Sequence, residues 1–132
     1  MAVKPENQFI SGVHSHMEKH KPHREKMNNP YSSGTADVWY SGNKADLWIE
    51  YKFLPRTPQR GVVTAALSEL QKLWLRGRHE EGRNVRVIVG CPSGGVIMRS
   101  TEWENPMPVE EFNERIASRK ELAGWITRET MR

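Results

Sequence analysis

Glu50 and Lys52 stand two residues apart in a run, Asp46 to Phe53, whose aromatic and branched residues read as a strand. Side chains alternate along a strand, so these two point to one face, roughly 6.5 to 7 Å apart along the backbone. A second run, Ala36 to Tyr40, precedes it across the turn-forming cluster Ser41-Gly42-Asn43-Lys44-Ala45. With Gly42 to Ala45 as the loop, hairpin register sets Ser41 against Asp46, Tyr40 against Leu47, Trp39 against Trp48 and Asp37 against Glu50. Two carboxylates then face each other. Like charges directly opposed destabilise a sheet, and burial adds to the cost unless positive charge sits between them. A divalent cation meets that need, and ligation by oxygen alone suits magnesium or manganese. Lys52 beside it can hold a water or a phosphate oxygen, a geometry for cleaving phosphodiesters.

The competing reading is a solvated hairpin face, on which Glu50 and Lys52 form an ordinary surface pair worth little. Against it, Leu47, Ile49, Tyr51 and Phe53 make the opposite face apolar, so the strand reads as buried. The other elements follow from periodicity. Phe9, Ile10, Val13 and Met17 recur at helical spacing in a short opening helix from Glu6 to Met17, with Pro5 suited to its first turn. Glu18 to Ser33, crowded with Lys, His, Pro and Asn, reads as a basic connector. After the hairpin, a long amphipathic helix is predicted from about Gly61 to Arg78, with Val63, Leu67, Leu70 and Trp74 inward. Val85, Val87 and Val89 mark a buried strand, Gly94-Gly95 a turn, and Val96 to Arg99 a shorter strand. From Pro108 the tail is helical, in one segment or two. This order predicts an α/β chain with a small mixed β-sheet flanked by helices, because a strand, a helix and a further strand form a crossover.

A chain of 132 residues fits a single domain with one core. Twenty Lys and Arg against sixteen Asp and Glu leave a net charge of +4, which favours a polyanionic partner. No run approaches the roughly 18 apolar residues that span a bilayer, and the N-terminus lacks an apolar signal core, so no membrane partner and a soluble, cytoplasmic protein are expected. Cys91 is the only cysteine, which excludes intrachain disulfides and multi-cysteine zinc sites.

Gly34-Thr35-Ala36-Asp37, the hairpin, Glu50-Tyr51-Lys52, and a helix with Gln71 before a valine-rich strand together resemble the PD-(D/E)xK nuclease superfamily. The resemblance is closest to its virus-type replication-repair nucleases and to small phage endonucleases and Holliday-junction resolvases. It spans roughly Glu6 to Val89, and departs from the pattern at Ala36, where the family usually has proline. It implies a restriction-endonuclease-like core and a Mg²⁺- or Mn²⁺-dependent DNA endonuclease of phage or mobile-element type. Asp37, Glu50 and the Tyr51 backbone carbonyl would hold the metal, and Lys52 would orient the attacking water. Glu6 is similar to an extra acidic residue on the family's opening helix, and Gln71 to a helix glutamine near the site. The plainer readings are an exposed first-turn glutamate favoured by the helix dipole and a polar residue at a helix boundary.

Arg56 and Arg60, close behind the proposed catalytic strand, are candidates for the phosphates flanking a cut, as are Lys19, Lys21, Arg24 and Lys26 of the basic connector. His14, His16, His20 and His23 read as exposed connector residues, and Trp39 and Trp48 as core. A homodimer presenting two sites suits a chain this short, and two opposed cuts would suit branched DNA. The rival from another class is a non-catalytic DNA-binding or assembly protein built on the same fold.

Overall fold

The computed structural model describes residues 4–27 and 34–132; the last part of the predicted connector, 28–33, lies outside the described residues. The elements in chain order are α1 (Pro5–His14), β1 (His23–Lys26), β2 (Val38–Ser41), β3 (Asp46–Phe53), β4 (Val62–Val63), α2 (Glu69–Glu80), β5 (Val85–Cys91), β6 (Gly94–Met98), β7 (Met107–Pro108), α3 (Val109–Arg115) and α4 (Arg119–Thr130). Five strands form a mixed sheet in the order β1-β2-β3-β5-β6, and β4 and β7 form a separate small pair. Among the described strands of this sheet only the β3 to β5 pairing is parallel, because α2 carries the chain back across the sheet between them. The expected mixed α/β class is the observed one.

β3 is the central strand, and both of its faces are covered. Leu47, Ile49 and Tyr51 point into one apolar cluster with Phe9, Ile10 and Val13 of α1 and Leu122, Ala123 and Ile126 of α4. The other cluster joins Val85, Val87 and Val89 to Leu75, Trp103 and Phe112, with Trp48 and Trp74 packed against its edge. Tyr40 and Tyr51 share a hydrogen bond of 2.6 Å beneath the sheet, and the His14 ring nitrogen reaches the Tyr40 hydroxyl at 2.8 Å. Burial pushes His14 down to about 4, so its imidazole is neutral there. His14 is therefore a half-buried packing residue of α1, not an exposed member of the connector.

Four further expectations need correction. The basic connector contains a strand, β1, which pairs with β2 through exposed polar residues that no apolar periodicity marks. The helix predicted from Gly61 starts at Glu69; Val63, Ala65 and Leu67 are instead buried at alternate positions of an extended segment. Positions four apart share a face in both a helix and a strand, so Val63 and Leu67 fit either period. Leu70, assigned inward, is 54 % exposed. The Gly94-Gly95 pair lies within β6, and the turn before it is Pro92-Ser93.

The hairpin loop is anchored at its tip. Backbone N–H groups of Lys44 and Ala45 both donate to the Thr130 carbonyl at the C-terminal end of α4. Gly42 lies so close to that carbonyl that a Cβ there would overlap its oxygen. Gly42→Ala should therefore lower the stability of the protein by about 1 to 3 kcal/mol, the usual cost of forced overpacking. A urea denaturation midpoint that does not move would show that the loop is not held against α4.

Candidate active site

The observed hairpin register is Ser41 to Asp46, Tyr40 to Leu47, Trp39 to Trp48 and Val38 to Ile49. Asp37 stands one residue beyond the last pair, where the next position opposite is Glu50. Its Oδ2 accepts a hydrogen bond of 2.9 Å from the Tyr51 backbone N–H. N–H and C=O of one strand residue leave the same edge, so the Tyr51 carbonyl also faces the side where β2 has ended. Glu50, Trp48 and Lys52 share the opposite sheet face from Tyr51.

Glu50 is 1 % exposed. Its Oε2 accepts a hydrogen bond of 3.0 Å from the Gln71 side-chain amide and lies 3.8 Å from Lys52 Nζ. Its Oε1 is buried where no donor reaches it, and a proton held by Glu50 would be shared with the Asp37 carboxylate. Burial, with the nearby Asp37 carboxylate adding to it, pushes the Glu50 carboxyl up to about 9, and Lys52 only partly opposes the shift. Glu6 sits at the first turn of α1, with Asp37, Lys52 and Lys26 around it. Burial and Asp37 hold its carboxyl above the ordinary range, while Lys52 and Lys26 pull it down. An open cleft of about 570 Å³ is lined by Lys4, Glu6, Asn7, Lys26, Met27 and Asp37.

The local sequence explains why these groups meet. Ser68-Glu69-Leu70-Gln71 forms a capping box, with Ser68 Oγ accepting from Gln71 N and Gln71 Oε1 accepting from Ser68 N. The two ends of the Gln71 amide thus do different work: the oxygen caps α2 and the nitrogen holds Glu50. Gly34, at φ +90°, lies against the Leu70 carbonyl, where any Cβ would collide with the oxygen. That close approach brings the loop carrying Asp37 onto the head of α2.

The donor set suits a hard dication. A buried oxygen of Glu50 that no donor reaches, an opposed carboxylate and a carbonyl on the same side are oxygen ligands short of one positive charge. Among the described residues no three His, Cys, Asp or Glu side chains lie together so as to hold a metal ion by themselves. Mg²⁺ needs no such group, since it binds through one or two carboxylates and keeps several waters.

The other sequence candidates divide. Lys26 lines the cleft beside Asp37, its ammonium donating to Asn7 at 2.7 Å, and Arg24 lies two residues away on the same strand. Lys19 and Lys21 precede β1 at its far end, where His23 faces Ser41, so the structure separates them from the carboxylates. Arg56 and Arg60 are exposed in the segment that leaves β3 past Lys52. Trp39 and Trp48 lie together across the hairpin as expected, stacked at 6.0 Å, and Trp48 packs against the edge of the core and Trp74 of α2, but both are half-buried rather than fully enclosed.

No family model matches the sequence, and no curated protein is significantly similar to it. Among solved structures the chain is similar to Hjc of Archaeoglobus fulgidus, described as a Holliday junction resolvase from an archaeal hyperthermophile, at 16 % identity. The superposition has a TM-score of 0.55 and covers 89 % of this chain and 99 % of that one. This likeness shows a common fold.

Folded Glu50 keeps up to about pH 9 a proton that an unfolded chain releases above 4.5, whereas folded His14 lacks one that an unfolded chain carries up to 6.5. The two offset each other at acid pH, and Glu50 alone acts above it. Stability in EDTA should therefore fall as pH rises from about 7 to about 9, by at most about 1.4 kcal/mol per pH unit for one proton. Glu50→Gln should flatten the slope. Urea titrations of both proteins at several pH values check this, and identical slopes would contradict the burial assigned to Glu50.

Proposed function

We propose that this chain is a structure-specific DNA endonuclease that hydrolyses phosphodiester bonds with Mg²⁺ or Mn²⁺. The observation that carries the reading is the half-buried Asp37 carboxylate set against fully buried Glu50, with no donor reaching Glu50 Oε1 and Lys52 alongside. Asp37, Glu50 and the Tyr51 carbonyl would hold the cation, with Glu6 reaching it across the cleft directly or through water. When bound, the cation offsets charge that develops on the phosphate and makes water a stronger acid. Lys52 orients the attacking water and donates to the phosphate oxygen on which negative charge grows. Gln71 keeps the Glu50 carboxylate in one orientation, so little rearrangement is needed when substrate arrives.

The likeness to a protein described as a Holliday junction resolvase supports branched DNA as the substrate class. Lys26 and Arg24 on one side of the carboxylates, and Arg56 and Arg60 beyond the end of β3, supply the charge for the duplex backbone. Lys19 and Lys21 would contact only a duplex arm that extends along β1. Two opposed cuts require two sites, for which a homodimer is the simplest source. Among the described residues no helix is long and apolar enough to cross a membrane.

Purified protein should cut a four-way junction in Mg²⁺ or Mn²⁺ and leave it intact in EDTA. Asp37→Asn, Glu50→Gln and Lys52→Ala should each slow cutting by about 100-fold or more while circular dichroism stays native. Binding of junction, plasmid and single-stranded DNA without cleavage of any of them would instead mark a DNA-binding or assembly protein. Full activity in Lys52→Ala would remove the mechanism.

A further inference from the structure

A second concavity lies on the same sheet face as Glu50, and the proposed chemistry leaves it without a role. A groove of about 450 Å³ opens between the start of β3 and the C-terminal half of α2. Trp48 and Trp74 form its apolar walls, their rings meeting edge to face at 5.5 Å between centroids. Trp39 continues the row, stacked on Trp48 with the planes 29° apart. All three indoles are half-buried, so the row keeps ring surface in contact with solvent. Arg78 and Arg83 also line the groove, together with Asp46 and Asn84.

The rings and cations of this lining have counterparts in one kind of ligand. Indole faces stack on nucleobases of any sequence and guanidinium groups meet phosphate, Arg78 also holding Glu81 at 3.0 Å. Asp46 and Asn84 instead brace the walls, the Asp46 carboxylate accepting from Ser41 and Trp39 and the Asn84 amide donating to the Asp46 carbonyl. A base inside a duplex already has both faces stacked, so only an unpaired one can use the indoles. The charge also favours nucleic acid over a second copy of the chain, since two bodies of net +4 repel each other and a polyanion is attracted.

Position links the groove to the carboxylates. Trp48 precedes Glu50 by two residues on one face, about 6.5 to 7 Å along the strand. Trp74 follows Gln71, the Glu50 partner, by three residues, about 4.5 Å along the helix axis. These offsets span one to two nucleotides at the stacked spacing of about 3.4 Å. We propose that the groove binds an unpaired nucleotide of the nucleic-acid substrate beside the phosphate held at Asp37 and Glu50, its base against Trp48 and Trp74 and its phosphate against Arg78 and Arg83. The placement beside a cut rests on the nuclease reading; the occupant does not.

Binding and cleavage measured separately test the two parts. In EDTA, a short fluorescein-labelled oligothymidylate should bind the wild type with quenching of tryptophan emission. Trp74→Ala should weaken binding by about tenfold or more, Trp74→Phe should retain most of it, and Arg83→Ala should weaken it and lower its salt dependence. In Mg²⁺, the wild type should prefer a duplex with an unpaired nucleotide next to the cut over a fully paired one, and Trp74→Ala should bring that ratio toward one. Unchanged oligothymidylate affinity in a natively folded Trp74→Ala, or binding without quenching, overturns the proposal. So does a Trp74→Ala that only dissociates a dimer in sedimentation, which would make the groove an interface between copies. Quenching that depends on Trp74, in a protein that cuts no DNA, upholds the occupant and defeats the nuclease reading.

Discussion

The structure turns on one electrostatic constraint: Glu50 is enclosed in the central strand with a second carboxylate, Asp37, beside it and only one ammonium near. Two negative charges in that setting cannot both remain ionised without a large penalty. A proton on Glu50 relieves the repulsion, and so does a dication between the two groups. The fold tolerates the arrangement because the rest of β3 is well covered: Leu47, Ile49 and Tyr51 are fully buried on the other face. The cost of an awkward pair is thus carried by a strand that has apolar contacts on both sides.

Three pieces of backbone converge on that pair, and each is held by a local device. Tyr51 fills the α1 and α4 side of the sheet with its ring while its N–H binds Asp37, so one residue ties the core to the site. Gln71 links the cap of α2 to the Glu50 carboxylate through opposite ends of one amide. Gly34 lets the loop before Asp37 lie against the Leu70 carbonyl. Moving the loop, the strand or the helix would separate oxygens that the proposed chemistry needs within a few ångströms.

Space and charge are distributed on either side of the carboxylates. The cleft toward α1 and β1 carries Lys4 and Lys26, and the groove toward the end of α2 carries Arg78 and Arg83. A polyanionic strand crossing the sheet face would meet positive charge before and after the carboxylates. The two sides differ in character, since indoles line only the second. One side therefore suits a backbone alone and the other a backbone together with its exposed bases.

Sequence alone was enough for whatever depends on short-range periodicity. Alternation from Asp46 to Phe53, together with a loop of fixed length, set the register that brings Asp37 opposite Glu50, because a hairpin leaves few ways to pair its strands. Val63 and Leu67 fit a helix as well as a strand and hid where α2 begins, so the capping box of Ser68 and Gln71 went unread. Tertiary structure decided the rest. Exposed β1 forms only because β2 offers it an edge, and Glu50 Oε1 lies out of reach of any donor only because α2 closes over the strand. The row from Trp39 through Trp48 to Trp74 joins residues from three elements, two of them far apart in the chain. Local pattern specifies which face a side chain takes, whereas what lies across from that face depends on how distant elements pack.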